Sequence, residues 1–125
     1  MGSCIAIVSD MIFATRITGT AEKVGAKCRI IKDLGALQDA LESSKPGIVL
    51  VDMHCDDISP EEAIRTVKSR CPNARVVAFF SHVQTELLEQ ARAAGADDAW
   101  PRSAFVQRLP QLLEDVQDGH EDVCP

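Results

Sequence analysis

Tyrosine is absent from the 125-residue chain, and tryptophan occurs once, at Trp100. With four phenylalanines besides, the sequence lacks the aromatic surface on which nucleic-acid bases stack. Basic residues are in the minority: 13 Lys and Arg stand against 19 Asp and Glu, a formal net charge of -6. A phosphate backbone demands a basic patch, so direct nucleic-acid binding is not expected. No apolar run approaches a membrane span and no charged-then-apolar leader is present, which predicts no membrane partner and a cytoplasmic location. There is no CxxC pair. Cys4, Cys28, Cys55, Cys71 and Cys124 are odd in number and widely spaced, the pattern of reduced thiols instead of a disulfide framework. No repeat or linker divides the chain, whose length suits one domain with a real core.

What the sequence does have is aliphatic residues in short runs. Pro46-Gly47-Ile48-Val49-Leu50-Val51-Asp52 runs from a turn signal through four aliphatic residues into a carboxylate. Such a run fits a strand buried on both faces, as a parallel sheet requires. Cys4 to Val8, Cys28 to Ile31, Arg75 to Phe80 and Asp98 to Pro101 read as four further strands. Between them, apolar residues recur at helical spacing: Phe13, Ile17, Ala21 and Val24; Leu34, Leu37, Ala40 and Leu41; Ile64, Val67 and Cys71; Leu87, Leu88 and Ala91. Phe105, Leu109, Leu112, Leu113 and Val116 predict a last helix, in which Pro110 should produce a kink or a loose first turn. Gly25 and Gly95 are expected helix stops. Ser59-Pro60-Glu61-Glu62 opens the third helix with a capping serine and a proline at the first helical position. Strands alternating with helices through short loops imply parallel pairing and right-handed crossovers. The expected fold is one doubly wound α/β domain of flavodoxin-like type, with five strands in the order 2-1-3-4-5 and five helices. It covers residues 1–117, and residues 118–125 form a polar tail.

In this topology the carboxyl ends of the strands gather the chemistry. Strand one ends at Ser9-Asp10, strand three at Asp52, strand four at Ser81 and strand five at Arg102. Strands one and three are neighbours at the switch point, so Asp10 and Asp52 should face one another. Two close carboxylates repel unless a cation lies between them or one is protonated. Mg²⁺ suits the pair, because it takes a few carboxylate oxygens and keeps several waters. With Arg102 and Ser81 opposite, the site would accommodate one phosphoryl group. Each residue also has an ordinary explanation. Asp10 would cap the first helix, Ser81 would serve turn chemistry, and Arg102 would pair permanently with Asp52 or Asp10.

On these residues the chain resembles a response-regulator receiver domain of the CheY-like family, from about Ile5 to Val116. The acid after strand one, Asp52, Ser81 and Arg102 follow the family's order and approximate spacing. Ala94-Gly95-Ala96-Asp97-Asp98 resembles the stretch that precedes its last strand. The resemblance implies a phosphoacceptor signalling domain instead of a conventional enzyme. Asp52 would be the nucleophile, taking the phosphoryl group of a histidine kinase or phosphotransfer protein as an acyl phosphate. Asp10, Asp52 and the backbone carbonyl of His54 would bind Mg²⁺, and Ser81 would turn toward the phosphoryl group. Several positions depart from the family pattern. Ser9 replaces one of two acids and should weaken divalent binding. Arg102 replaces lysine, a planar fork in place of a compact ammonium. Ser103 replaces the proline associated with a cis peptide, Cys55-Asp56 replaces Met-Pro, and Ala99 occupies the aromatic switch position, with Trp100 expected on the opposite face.

Two other classes of function are open to the sequence. A metal or redox site would draw on Asp52, His54, Cys55, Asp56, Asp57 and His82, although ligands on adjacent residues rarely converge on one tetrahedral ion. A phosphorylation-independent pseudo-receiver would act through protein contacts alone. The fourth helix, fifth strand and fifth helix, with Gln84, Glu86, Glu89, Gln90, Arg92, Gln107 and Arg108, would supply a surface for a homodimer or an output partner.

Overall fold

A computed structural model describes residues 3–44, 46–81 and 85–117. The expected tail at 118–125, Lys45, His82, Gln84 and Cys124 lie outside the described residues. In chain order the elements are β1 (Cys4–Ile7), α1 (Met11–Lys23), β2 (Cys28–Ile31), α2 (Leu34–Ser44), β3 (Ile48–Asp52), α3 (Pro60–Arg70), β4 (Arg75–Phe80), α4 (Thr85–Ala94), β5 (Asp98–Pro101) and α5 (Arg102–Gln117). The strands form one sheet in the order β2-β1-β3-β4-β5, and every pairing is parallel. This is the expected doubly wound, flavodoxin-like sheet with β3 at its centre.

The alternation of side chains along each strand divides the core in two. Ile5, Ile7, Val49, Val51, Val76 and Ala78 face α2, α3 and α4, where Leu37, Leu41, Ile64, Val67 and Ala91 cover them. Cys4, Ala6, Ile48, Leu50, Val77 and Phe79 face α1 and α5, under Phe13, Ile17, Phe105, Leu109 and Leu113. Because β3 is covered on both sides, all five of its residues are buried. Ala99 belongs to the first layer and Trp100 packs on the second, so the two point to opposite faces of β5 as the period requires.

Helix boundaries follow local chemistry. Ser59 Oγ accepts the Glu62 N–H and Pro60 opens α3, a cap worth about 1 kcal/mol. Asp33 does the same for α2, its carboxylate accepting the Ala36 N–H at 2.7 Å. After α1 and α4 the chain turns at Gly25 and Gly95, with φ of 77° and 116°, conformations that cost a Cβ-bearing residue. Within α5, which runs from Arg102 to Gln117, sits Pro110. Its missing N–H removes one helical hydrogen bond, but Leu109, Leu112 and Leu113 are all buried against the sheet and hold the turns on either side.

Candidate functional site

Asp52 ends β3 with the same side-chain direction as Ile48 and Leu50, which places its carboxylate on the α1/α5 side of the sheet. It is 1% exposed and is the one charged residue in the buried core among the described residues. A buried carboxylate persists only with partners, and two are in place. Oδ1 accepts the His54 N–H at 2.9 Å. Oδ2 accepts from Arg102 Nη2 at 3.0 Å.

Arg102 is the first residue of α5, directly after β5, and reaches back across the sheet edge. Its second arm, Nη1, lies 3.5 Å from Asp10 Oδ2. One guanidinium thus lies between both carboxylates, the position that the sequence suggests for a metal ion. The guanidinium also stacks 4.4 Å above the Phe13 ring, an arrangement that favours a cation. Phe13 is held in turn by Phe79 and Phe105, whose centroids are 5.0 Å and 6.0 Å from it. Arg102 Nε is shielded from solvent with no hydrogen-bond partner among the described residues. Asp10 meanwhile caps α1, Oδ1 accepting the N–H groups of Ile12 at 3.0 Å and Phe13 at 3.2 Å. Asp10 thus caps α1 with one carboxylate oxygen and faces Arg102 with the other.

Ser9 has a role that the sequence does not signal. Its hydroxyl oxygen accepts the N–H groups of Asp56 at 3.0 Å and Asp57 at 3.2 Å and donates to Asp57 Oδ2 at 2.9 Å. Cys55 Sγ lies 3.1 Å away. The hydroxyl ties the β3–α3 loop to the end of β1, and its donation to Asp57 is a bond that an ionised carboxylate at this position could not make. Ser81 is likewise engaged: its N–H donates to His54 Nε2 at 3.1 Å, and its Oγ lies 3.1 Å from the same nitrogen. His54 thus contributes its backbone N–H to Asp52 and its imidazole to Ser81. Neither Phe13 as the seat of Arg102 nor the His54 imidazole as the partner of Ser81 is legible in the sequence. Phe13 reads there only as part of the α1 stripe.

The structure brings Asp10, Asp52 and Arg102 together, with Ser81 reached through His54. The alternative metal cluster includes His82, which lies outside the described residues. Among the described residues no group of three His, Cys, Asp or Glu side chains is placed to hold an ion, with Cys55 buried against Ser9 and His54 turned to Ser81. Arg102 is followed by Ser103, and no cis peptide occurs among the described residues.

No family model matches the chain. It is similar to the transcriptional activator protein ExaE of Pseudomonas putida, 29% identical over 93 residues that cover 72% of this chain and 44% of that protein. The chain spans less than two thirds of the length of the curated relatives it matches. Among solved structures it is similar to the receiver domain of NtrX from Brucella abortus, with a TM-score of 0.79 at 18% identity, covering 93% of this chain and 98% of that one. It is also similar to a response regulator from Burkholderia pseudomallei that carries a phosphorylated aspartic acid, a calcium ion and citrate, with a TM-score of 0.75 at 19% identity, covering 100% of this chain and 76% of that one. The chain thus has the fold of response-regulator receiver domains, and its curated relatives include response regulators.

Proposed function

We propose that this chain is a receiver module of two-component signalling, built from residues 1–117, in which Asp52 accepts a phosphoryl group from the phosphohistidine of a histidine kinase or phosphotransfer protein. The observation that carries the reading is the buried carboxylate at the end of the central strand, met there by a guanidinium. A carboxylate oxygen of Asp52 attacks phosphorus as the phosphorus–nitrogen bond breaks, leaving an acyl phosphate, and the donor ring, protonated on its other nitrogen, departs as neutral imidazole. Phosphorylation adds negative charge at a position that already faces Arg102, whose planar fork suits phosphoryl oxygens. Ser81 Oγ then exchanges His54 for a phosphoryl oxygen, which couples the chemistry to the loop after β4. The likeness to a solved protein carrying a phosphorylated aspartic acid supports this reading.

The oxygen donors suit Mg²⁺: the carboxylates of Asp10 and Asp52 and the carbonyl of His54 are hard ligands. Both Oδ2 atoms now face Arg102, so cation and guanidinium compete for the same oxygens. When bound, the ion would supply charge neutralisation for the transferring phosphoryl group. With Ser9 in place of a second acid, no further carboxylate from that position helps displace Arg102, and divalent binding is accordingly weak. For a homodimer or output partner we assign the exposed side chains of Glu86, Glu89, Gln90, Arg92, Gln107 and Arg108 on the α4–β5–α5 face.

Intact mass after incubation with a small phosphodonor, with Mg²⁺ and with chelator, tests the reading. The expected result is a metal-dependent gain of one phosphoryl group that vanishes in Asp52→Asn. Labelling that survives in Asp52→Asn would move the acceptor elsewhere. Absence of labelling over long incubation would overturn phosphorylation and leave a module acting through contacts alone.

A further inference from the structure

The opposite edge of the sheet holds a second pair of reactive groups, remote from Asp52. Cys4 and Cys28 open β1 and β2 and stand directly across from one another in the parallel register. Neighbouring strands lie about 4.8 Å apart, inside the span that a disulfide bridges between Cα atoms. Both side chains belong to the α1/α5 layer, and the two sulfur atoms are already hydrogen-bonded at 3.2 Å. Their surroundings differ. Cys4 is 2% exposed, whereas Cys28 is half-buried and lines an open cavity of about 410 Å³ with Thr18, Ala21, Glu22, Ala26 and Lys27. A small oxidant therefore has a path to one sulfur and finds the other sheltered behind it.

We propose that Cys4 and Cys28 form a reversible intramolecular disulfide when the protein meets hydrogen peroxide or an organic hydroperoxide. The hydrogen bond with Cys28, and then burial, hold the Cys4 thiol well above its ordinary pKa, so Cys4 stays protonated and oxidation begins at the accessible partner. The Cys28 sulfur attacks the peroxide: a sulfur–oxygen bond forms, the oxygen–oxygen bond breaks, and the Cys28 thiol proton leaves with the departing oxygen as water or an alcohol. Cys4 sulfur then attacks Cys28 sulfur. The disulfide forms, the sulfur–oxygen bond breaks, and the oxygen departs as water with the Cys4 proton. Two electrons pass from the sulfurs to the peroxide. The product clamps β2, an edge strand that pairs with β1, at the end of the sheet away from Asp52.

Cys55 and Cys71 lie elsewhere, Cys55 buried beside Ser9 and Cys71 at the end of α3, and neither is in register with this pair. The test is to treat the folded full chain with hydrogen peroxide, alkylate remaining thiols under denaturing conditions, and map peptides without reductant. The expected product is a Cys4–Cys28 linked peptide, lower in mass by two hydrogens, that a dithiol reductant separates. Cys28→Ser, close in size and folded, should yield no link and leave Cys4 alkylated. Sulfinic acid on Cys28 beside a free Cys4, two unmodified thiols, or a link to a different cysteine would each overturn the proposal.

Discussion

The two edges of the sheet use the same chemistry for different ends. At the amino edge Arg75 opens β4 and donates to Asp98 Oδ2 through Nε at 3.2 Å and Nη2 at 2.9 Å. Both side chains are about one-third exposed, at 33% and 31%. Nearby, Asp97 Oδ2 accepts the Val76 N–H and Lys68 Nζ, each at 2.7 Å, while Lys68 also donates to the Ala74 carbonyl. These groups satisfy backbone and surface where a strand begins. At the carboxyl edge Arg102 likewise meets carboxylates, but there Asp52 is only 2% exposed along its side chain. Exposed ion pairs trade water for a partner at little net gain. A buried carboxylate has no water to fall back on, so its partner decides whether it stays charged. The comparison separates staples from a site: an amino-edge pair gives up little when broken, while the carboxyl edge holds a charge ready to react.

Arg102→Ala draws the contrast most strongly. It strands the Asp52 charge and also removes the stack on Phe13, and should cost about 3 kcal/mol in urea unfolding. Adding Asp52→Asn to that variant should recover most of the loss, since no buried charge remains to be paired. A cost no larger than that of Arg75→Ala would erase the distinction between the edges.

Asp97→Ala comes next. It leaves the Val76 N–H without its carboxylate and removes the ion-pair partner of Lys68, for about 2 kcal/mol by the same measurement. This is the amino-edge group whose loss should matter, because it serves a backbone donor and not merely another surface charge. Ser9→Ala should cost about 1 kcal/mol. Its clearer signature is faster amide exchange at Asp56 and Asp57, whose N–H groups lose their acceptor, with exchange in β3 unchanged. Equal exchange in both proteins would show that the loop is held by something other than Ser9.

Arg75→Ala should have the smallest effect, about 0.5 kcal/mol, and that contribution should fade at high salt. The Arg102 contribution should persist there, because counter-ions do not reach the buried end of its pair. A salt-insensitive Arg75 would mean that the amino edge is more enclosed than its exposure indicates.

Much of this arrangement is legible in the amino-acid sequence. Ile48 to Val51 fit a strand covered on both sides, and a parallel sheet then places Asp52, Asp10, Ser81 and Arg102 along one edge. Gly25, Gly95 and Ser59 mark boundaries through conformations or hydrogen bonds that few residues supply. Pro110 is accommodated inside α5, where Leu109, Leu112 and Leu113 around it are buried. Within the site, residue identities and the pairing of Arg102 with Asp52 or Asp10 are legible, and the detailed geometry is not. The guanidinium of Arg102 has several rotatable bonds between it and the backbone, and nothing in the spacing of Asp10, Asp52 and Arg102 indicates that one fork spans both acids.

Periodicity and turn chemistry act over a few neighbouring residues, so the elements, their order and the edge at which the polar residues gather follow from local sequence. Long-range packing sets Arg102 between the two carboxylates on a Phe13 platform, engages His54 with Ser81, lets Ser9 tie down a loop, and brings Cys4 to Cys28. The shortest of these spans, from Cys4 to Cys28, is 24 residues. Asp10 and Phe13, near neighbours in the chain, meet Arg102 only after the whole sheet has been laid down. Hydrogen bonds and ion pairs depend on fractions of an ångström and on burial, and the packing of the complete chain sets both.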